Sequence, residues 1–138
     1  MSTLSQAYQN IMQNRTMHSL FNGITKKDIS VFENTNSVSL PREYAEFLCL
    51  ADGGELYPPA GVQLLGILHK PIIDVLCNDR PNDDYVVIEY LSNGDPILFR
   101  KNSEQISIYN IENDTIEDDE TYDSFSDFLI DLSGILGL

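Results

Sequence analysis

Beyond Lys101 this 138-residue chain has no lysine or arginine, and throughout it has no tryptophan, only two cysteines and only two histidines. Each shortage excludes something. Cys49 and Cys77 are too few for a disulfide framework and stand in no CxxC or Cys/His cluster, which fits a reducing compartment, with burial expected of Cys49. His18 and His69 fall in no HxxxH or HExxH spacing, so neither brings a metal-ligand pair. No run approaches the roughly 18 apolar residues that span a bilayer, and MSTLSQAYQNIMQNR lacks a basic leader followed by an apolar core. A cytoplasmic address without membrane contact is the expectation.

Catalytic patterns are missing as well. Gly53-Gly54 has no following Gly-Lys-Ser/Thr, Gly94 sits in a turn, and there is no GxSxG elbow. Carboxylates are abundant enough to fall together by chance, and none is flanked by a recognisable polar partner set. No enzymatic activity, metal or cofactor is expected.

What is present suits a single folded domain over residues 1–138: 42% of residues are hydrophobic and 22% charged, near the globular average. The charge is one-sided, with 22 acidic against 8 basic residues and a net charge of -14. Ten acidic residues follow residue 102: Glu104, Glu112, Asp114, Glu117, Asp118, Asp119, Glu120, Asp123, Asp127 and Asp131. Direct nucleic-acid binding is disfavoured and a basic partner is favoured.

Periodicity assigns the elements. Leu4, Ala7, Tyr8, Ile11 and Met12 follow helical spacing and predict a peripheral helix over 3–13. Thr25 and Asp28 form a capping box, stapled by Ile24 and Ile29, that opens a short helix over 26–33 with Ile29 and Phe32 inward. In LPREYAEFLCLADGG, Pro41 suits the first helical position, and Tyr44, Phe47, Leu48 and Ala51 make one apolar stripe. Gly53-Gly54 is expected to end that helix.

Strand patterns follow. GVQLLGIL (61–68) alternates weakly, while YVVIEY (85–90) and PILFR (96–100) flank an Asn-Gly hairpin turn, and QISIYNI (105–111) extends the meander. IENDTIEDDE (111–120) reads as an acidic loop. Neither it nor NDRPNDD (78–84) carries the glycine an EF-hand needs, which leaves a solvated surface or a partner-binding one. Tyr57, Tyr85, Tyr90, Tyr109 and Tyr122 lie in or beside these runs, where they could serve either the core or an interface. Ser124 opens a closing helix carrying Phe125, Phe128, Leu129, Leu132 and Ile135. The fold class is α+β: a mostly antiparallel twisted sheet with N-terminal helices and a C-terminal helix packed against it.

Four segments together resemble the SUKH superfamily, which includes a fungal regulator of cell-wall glucan synthesis and many bacterial immunity proteins. They are TKKDISVFE, LPREYAEFLCLADGG, Asn93-Gly94-Asp95 and SFSDFL. Asp52 stands where relatives usually carry asparagine, and the tryptophans common among them are missing. The resemblance implies a compact α+β domain without catalytic residues, and bacterial members neutralise toxins, many of them nucleases, by binding. Expected, then, is an antitoxin for a basic toxin. Its contact surface would comprise Glu112, Asp114, Glu117, Asp118, Asp119, Glu120 and Asp123, with Asp52, Glu55 and Tyr57 on the rim after the helix. The alternative is a regulatory or scaffolding module of the cell-wall type.

Overall fold

The computed structural model describes residues 3–13, 19–58 and 61–137; His18 lies outside them. Four helices, α1 (Thr3–Gln13), α2 (Lys26–Asn36), α3 (Arg42–Leu50) and α4 (Phe125–Ile135), accompany seven strands. The strands are β1 (Ser19–Asn22), β2 (Ala51–Leu56), β3 (Val62–Leu64), β4 (Tyr85–Leu91), β5 (Pro96–Arg100), β6 (Ile106–Asn110) and β7 (Thr115–Tyr122). They form one sheet in chain order with every neighbouring pair antiparallel. The α+β class is as the sequence led us to expect.

The helices build one layer around an aromatic cluster. Tyr44 and Phe47 of α3 pack on Phe125 of α4 at ring distances of 4.9 and 5.3 Å, and Tyr8 of α1 meets Phe47 edge-on. Tyr44 is fully buried and its hydroxyl donates to the carbonyls of Leu65 and Ile88, tying α3 to the sheet. Helix α1 is no peripheral element, because Leu4, Ala7 and Ile11 are all buried. Thr25 caps α2 with the reciprocal Asp28 bond, and that helix runs three residues past the expected end, closing on Ser37 in the left-handed conformation. Pro41 is the N-cap of α3, one position earlier than expected. The Arg42 N–H next to it is held by both oxygens of Glu104, a distant carboxylate doing the work of a capping side chain.

Register fixes which way each strand residue faces. Tyr122 packs on Phe128 of α4 and stands opposite Ile106, which stands opposite Phe99. That row therefore faces the helices. Ile97 alternates with Phe99, and Ile97, Glu89 and Leu64 are successive partners on the same face. Gln63 and Tyr90 consequently point to the opposite, helix-free face.

Four expectations fail. Gly53 and Gly54 do not cap α3, which ends when Ala51 turns extended; they lie inside β2 at φ 85 and 127. A Cβ on Gly54 would sit 2.1 Å from the Ser19 carbonyl oxygen, and one on Gly53 2.9 Å from that of Leu64, so the pair lets flanking backbones close in. The stretch 61–68 supplies only the three residues of β3. The acidic segment 111–120 is a turn followed by edge strand β7, not a loop. Cys49, expected to be buried, is half-exposed.

Candidate functional site

Strand β7 leaves the ladder in its middle. Asn110 and Tyr109 pair with Thr115 and Ile116, whereas Ser107 and Ile106 pair with Thr121 and Tyr122. One β6 residue, Ile108, therefore stands against Glu117, Asp118, Asp119 and Glu120, which form a wide bulge. Its neck is closed by the Thr121 hydroxyl, which donates to the Glu117 carbonyl at 3.2 Å. The residue pattern produces this: β-branched and aromatic residues at both ends favour pairing, while four adjacent carboxylates repel one another and favour water.

Glu117, Asp118 and Asp119 are exposed and Glu120 is half-buried. Burial, reinforced by Asp119, Asp95 and Glu117, holds the Glu120 carboxyl above its usual range. Asp95 belongs to the β4–β5 turn, so that turn and the bulge contribute to one acidic cluster. Among the described residues the only lysine or arginine in an ion pair is Arg80, with Asp83, and none of them pairs with the bulge. Nearby tyrosines are already engaged with carboxylates: Tyr109 donates to Asp114, and Tyr122 donates to Asp131 at 2.8 Å. Burial first, then that bond to Asp131, pushes the Tyr122 hydroxyl up to about 12.

The remaining expected residues divide by place. The β2–β3, β4–β5 and β6–β7 turns share one end of the sheet, as the register Leu56–Val62–Leu91 and the pairs Tyr90–Pro96 and Asn110–Thr115 require. Glu55 and Tyr57 are at that end, as are Glu112 and Asp114. Strands β2 and β7 are five places apart, about 24 Å at the usual strand spacing, a span suited to one face of a protein interface. Asp123 lies past the far end of β7, beside α4. Arg80, Arg100 and Lys101 are also at that far end, where the Lys101 N–H donates to Asp84 O.

Asp52 does not belong to the rim. It is fully buried at the start of β2, where Oδ1 accepts from the Ile67 N–H at 2.7 Å. Its Oδ2 accepts from the Leu68 and His69 N–H groups, each at 2.9 Å, and lies 2.9 Å from His69 Nδ1. This carboxylate organises the loop after β3, and the His69 ring stacks on Phe21 of β1 at 4.7 Å. Among the described residues no three His, Cys, Asp or Glu side chains are grouped to hold a metal, and no helix is long and apolar enough to cross a membrane.

Sequence reasoning missed β1 and β2, the bulge, and Asp95 as part of the acidic cluster. The readable signal for the bulge was Thr-Ile before, and Thr-Tyr after, the acidic tetrad. As it stands the bulge also does something that needs no partner: an irregular, charged edge resists pairing with another sheet.

Helices laid on one face of a seven-stranded antiparallel sheet, with an acidic edge and turn end, define the class as a small α+β domain. The SMI1 / KNR4 family (SUKH-1) model matches residues 23–131, and the chain belongs to that family. No curated protein matches it significantly.

Proposed function

We propose that the chain is a non-catalytic immunity protein that binds and neutralises a basic toxin through the β7 bulge and the adjoining turn end. The observation that supports this most directly is the tetrad Glu117–Glu120, set out of the ladder and uncompensated by any described cation. Crowded like charges repel each other, and a partner supplying lysine and arginine relieves that repulsion. A nuclease needs a basic groove for phosphates, and a protruding acidic strand can occupy it as a polyanion would, with electrostatically steered association. Family membership fits the same role. The setting proposed is the cytoplasm, with no direct contact to nucleic acid or membrane.

The test is affinity capture of the tagged protein from its native cells at low and high salt, with bound chains identified by mass spectrometry. Stoichiometric recovery of one basic polypeptide, weakened by salt, is the expected result. Salt-insensitive recovery of cell-wall or signalling proteins would instead establish a regulatory or scaffolding module.

A further inference from the structure

Glu55, Gln63 and Tyr90 stand in one row across β2, β3 and β4, since Glu55 pairs with Gln63 and Gln63 with Tyr90. Directly opposed residues have Cβ atoms about 4.5–5.5 Å apart, so a carboxylate, an amide and a phenol ring lie side by side on the helix-free face. They line a cavity of about 330 Å³ beside the β4–β5 turn, whose lining also includes Pro58. Among the described residues Glu55 is the only charged one lining it. Tyr90 is fixed in place, because its hydroxyl donates to Asp79 Oδ2 at 2.8 Å.

We infer that this cavity is the anchor site for an arginine side chain of the partner. A guanidinium offers paired N–H donors to a carboxylate, stacks on an aromatic ring, leaves a further donor for an amide oxygen, and carries methylenes that pack on apolar surface. The row presents the carboxylate, the amide and the ring, Pro58 adds apolar surface, and the immobilised tyrosine needs no ordering when the guanidinium arrives. A lysine ammonium, a point charge without a planar face, uses only the carboxylate. The inference rests on reading the chain as a binder of a basic protein, and it names the contact that lends such binding specificity beyond the diffuse charge of β7.

The experiment is a titration of the whole protein with N-acetyl-L-arginine amide followed by ¹H–¹⁵N NMR, with the lysine analogue and the neutral isostere N-acetyl-L-citrulline amide as controls. Saturable shifts are expected at Glu55, Gln63 and Tyr90, including the Gln63 side-chain amide, roughly tenfold stronger for arginine than for either control. They should persist in Glu117→Lys/Asp119→Lys and vanish in Glu55→Gln, whose amide signals elsewhere report an intact fold. Shifts confined to β7, equal for lysine, or surviving Glu55→Gln would overturn the inference. Because the probe is arginine alone, that failure would leave the acidic-bulge reading to the capture experiment, and failure of the capture would leave this site intact.

Discussion

Asp52 and the tetrad Glu117–Glu120 carry the same functional group to opposite ends. At the start of β2 one carboxylate is withdrawn completely from water and surrounded by three backbone N–H groups and an imidazole nitrogen. On β7 three carboxylates are exposed to water and a fourth is half-buried, with no described cation beside them. The first arrangement spends charge on shaping a loop, since a buried carboxylate is tolerated only when its oxygens are satisfied. The second keeps charge available, because exposed carboxylates contribute little to stability and act at a distance. A count of acidic residues cannot separate the two; their backbone surroundings do.

The comparison can be broken most forcefully from the buried side. Asp52→Ala should destabilise the protein by about 3–5 kcal/mol in urea unfolding, since three N–H groups and His69 lose their acceptor. A loss under about 1 kcal/mol would mean that the loop holds itself without the carboxylate. Phe47→Ala, which removes the ring packed between Tyr8 and Phe125, should cost a similar 3–5 kcal/mol and calibrates that figure against plain core loss.

Glu89 sharpens the contrast, for it is fully buried on the helix-facing side with no hydrogen-bond partner for either oxygen among the described residues. Burial raises its carboxyl well above the ordinary 4.5, and its proximity helps raise the Tyr44 hydroxyl, for which burial is the larger cause. The sign follows from linkage. Below 4.5 both folded and unfolded forms are protonated; above it the unfolded form ionises first, so this group's contribution falls as pH rises towards the raised folded value. Glu89→Gln should therefore gain on the wild type as pH climbs from about 4.5, read from unfolding midpoints across pH. Parallel curves would show that Glu89 ionises normally.

The smallest effect on stability belongs to the exposed side. Glu117→Lys with Asp119→Lys should leave unfolding free energy within about 0.5 kcal/mol while removing salt-sensitive partner binding. A large destabilisation would show that the bulge is structural.

Much of this was legible beforehand, and the reasons differ by element. The capped helices announced themselves through local chemistry: Thr25 with Asp28, and the stripe Tyr44, Phe47 and Leu48, all buried as the spacing required. The hairpin at Asn93-Gly94 was equally local. Strands β1 and β2 were not, because SLFN and ADGGEL have no alternation to read, and their pairing depends on glycines that admit a neighbouring backbone. Acidic composition concealed β7, since four carboxylates in a row look like a loop until the β-branched residues on either side are paired. Asp52 was misplaced because its partners are 15 to 17 residues away, and no local pattern reports such a contact.

The central claim is that the acidic bulge is a binding surface rather than only a guarded sheet edge. Its most direct test is calorimetric titration of the basic protein recovered by capture against the wild type and against Glu117→Lys/Asp119→Lys, at two salt concentrations. The account predicts tight, salt-weakened binding by the wild type and a loss of at least roughly tenfold in the variant. Equal affinity for both proteins, at both salts, would contradict it.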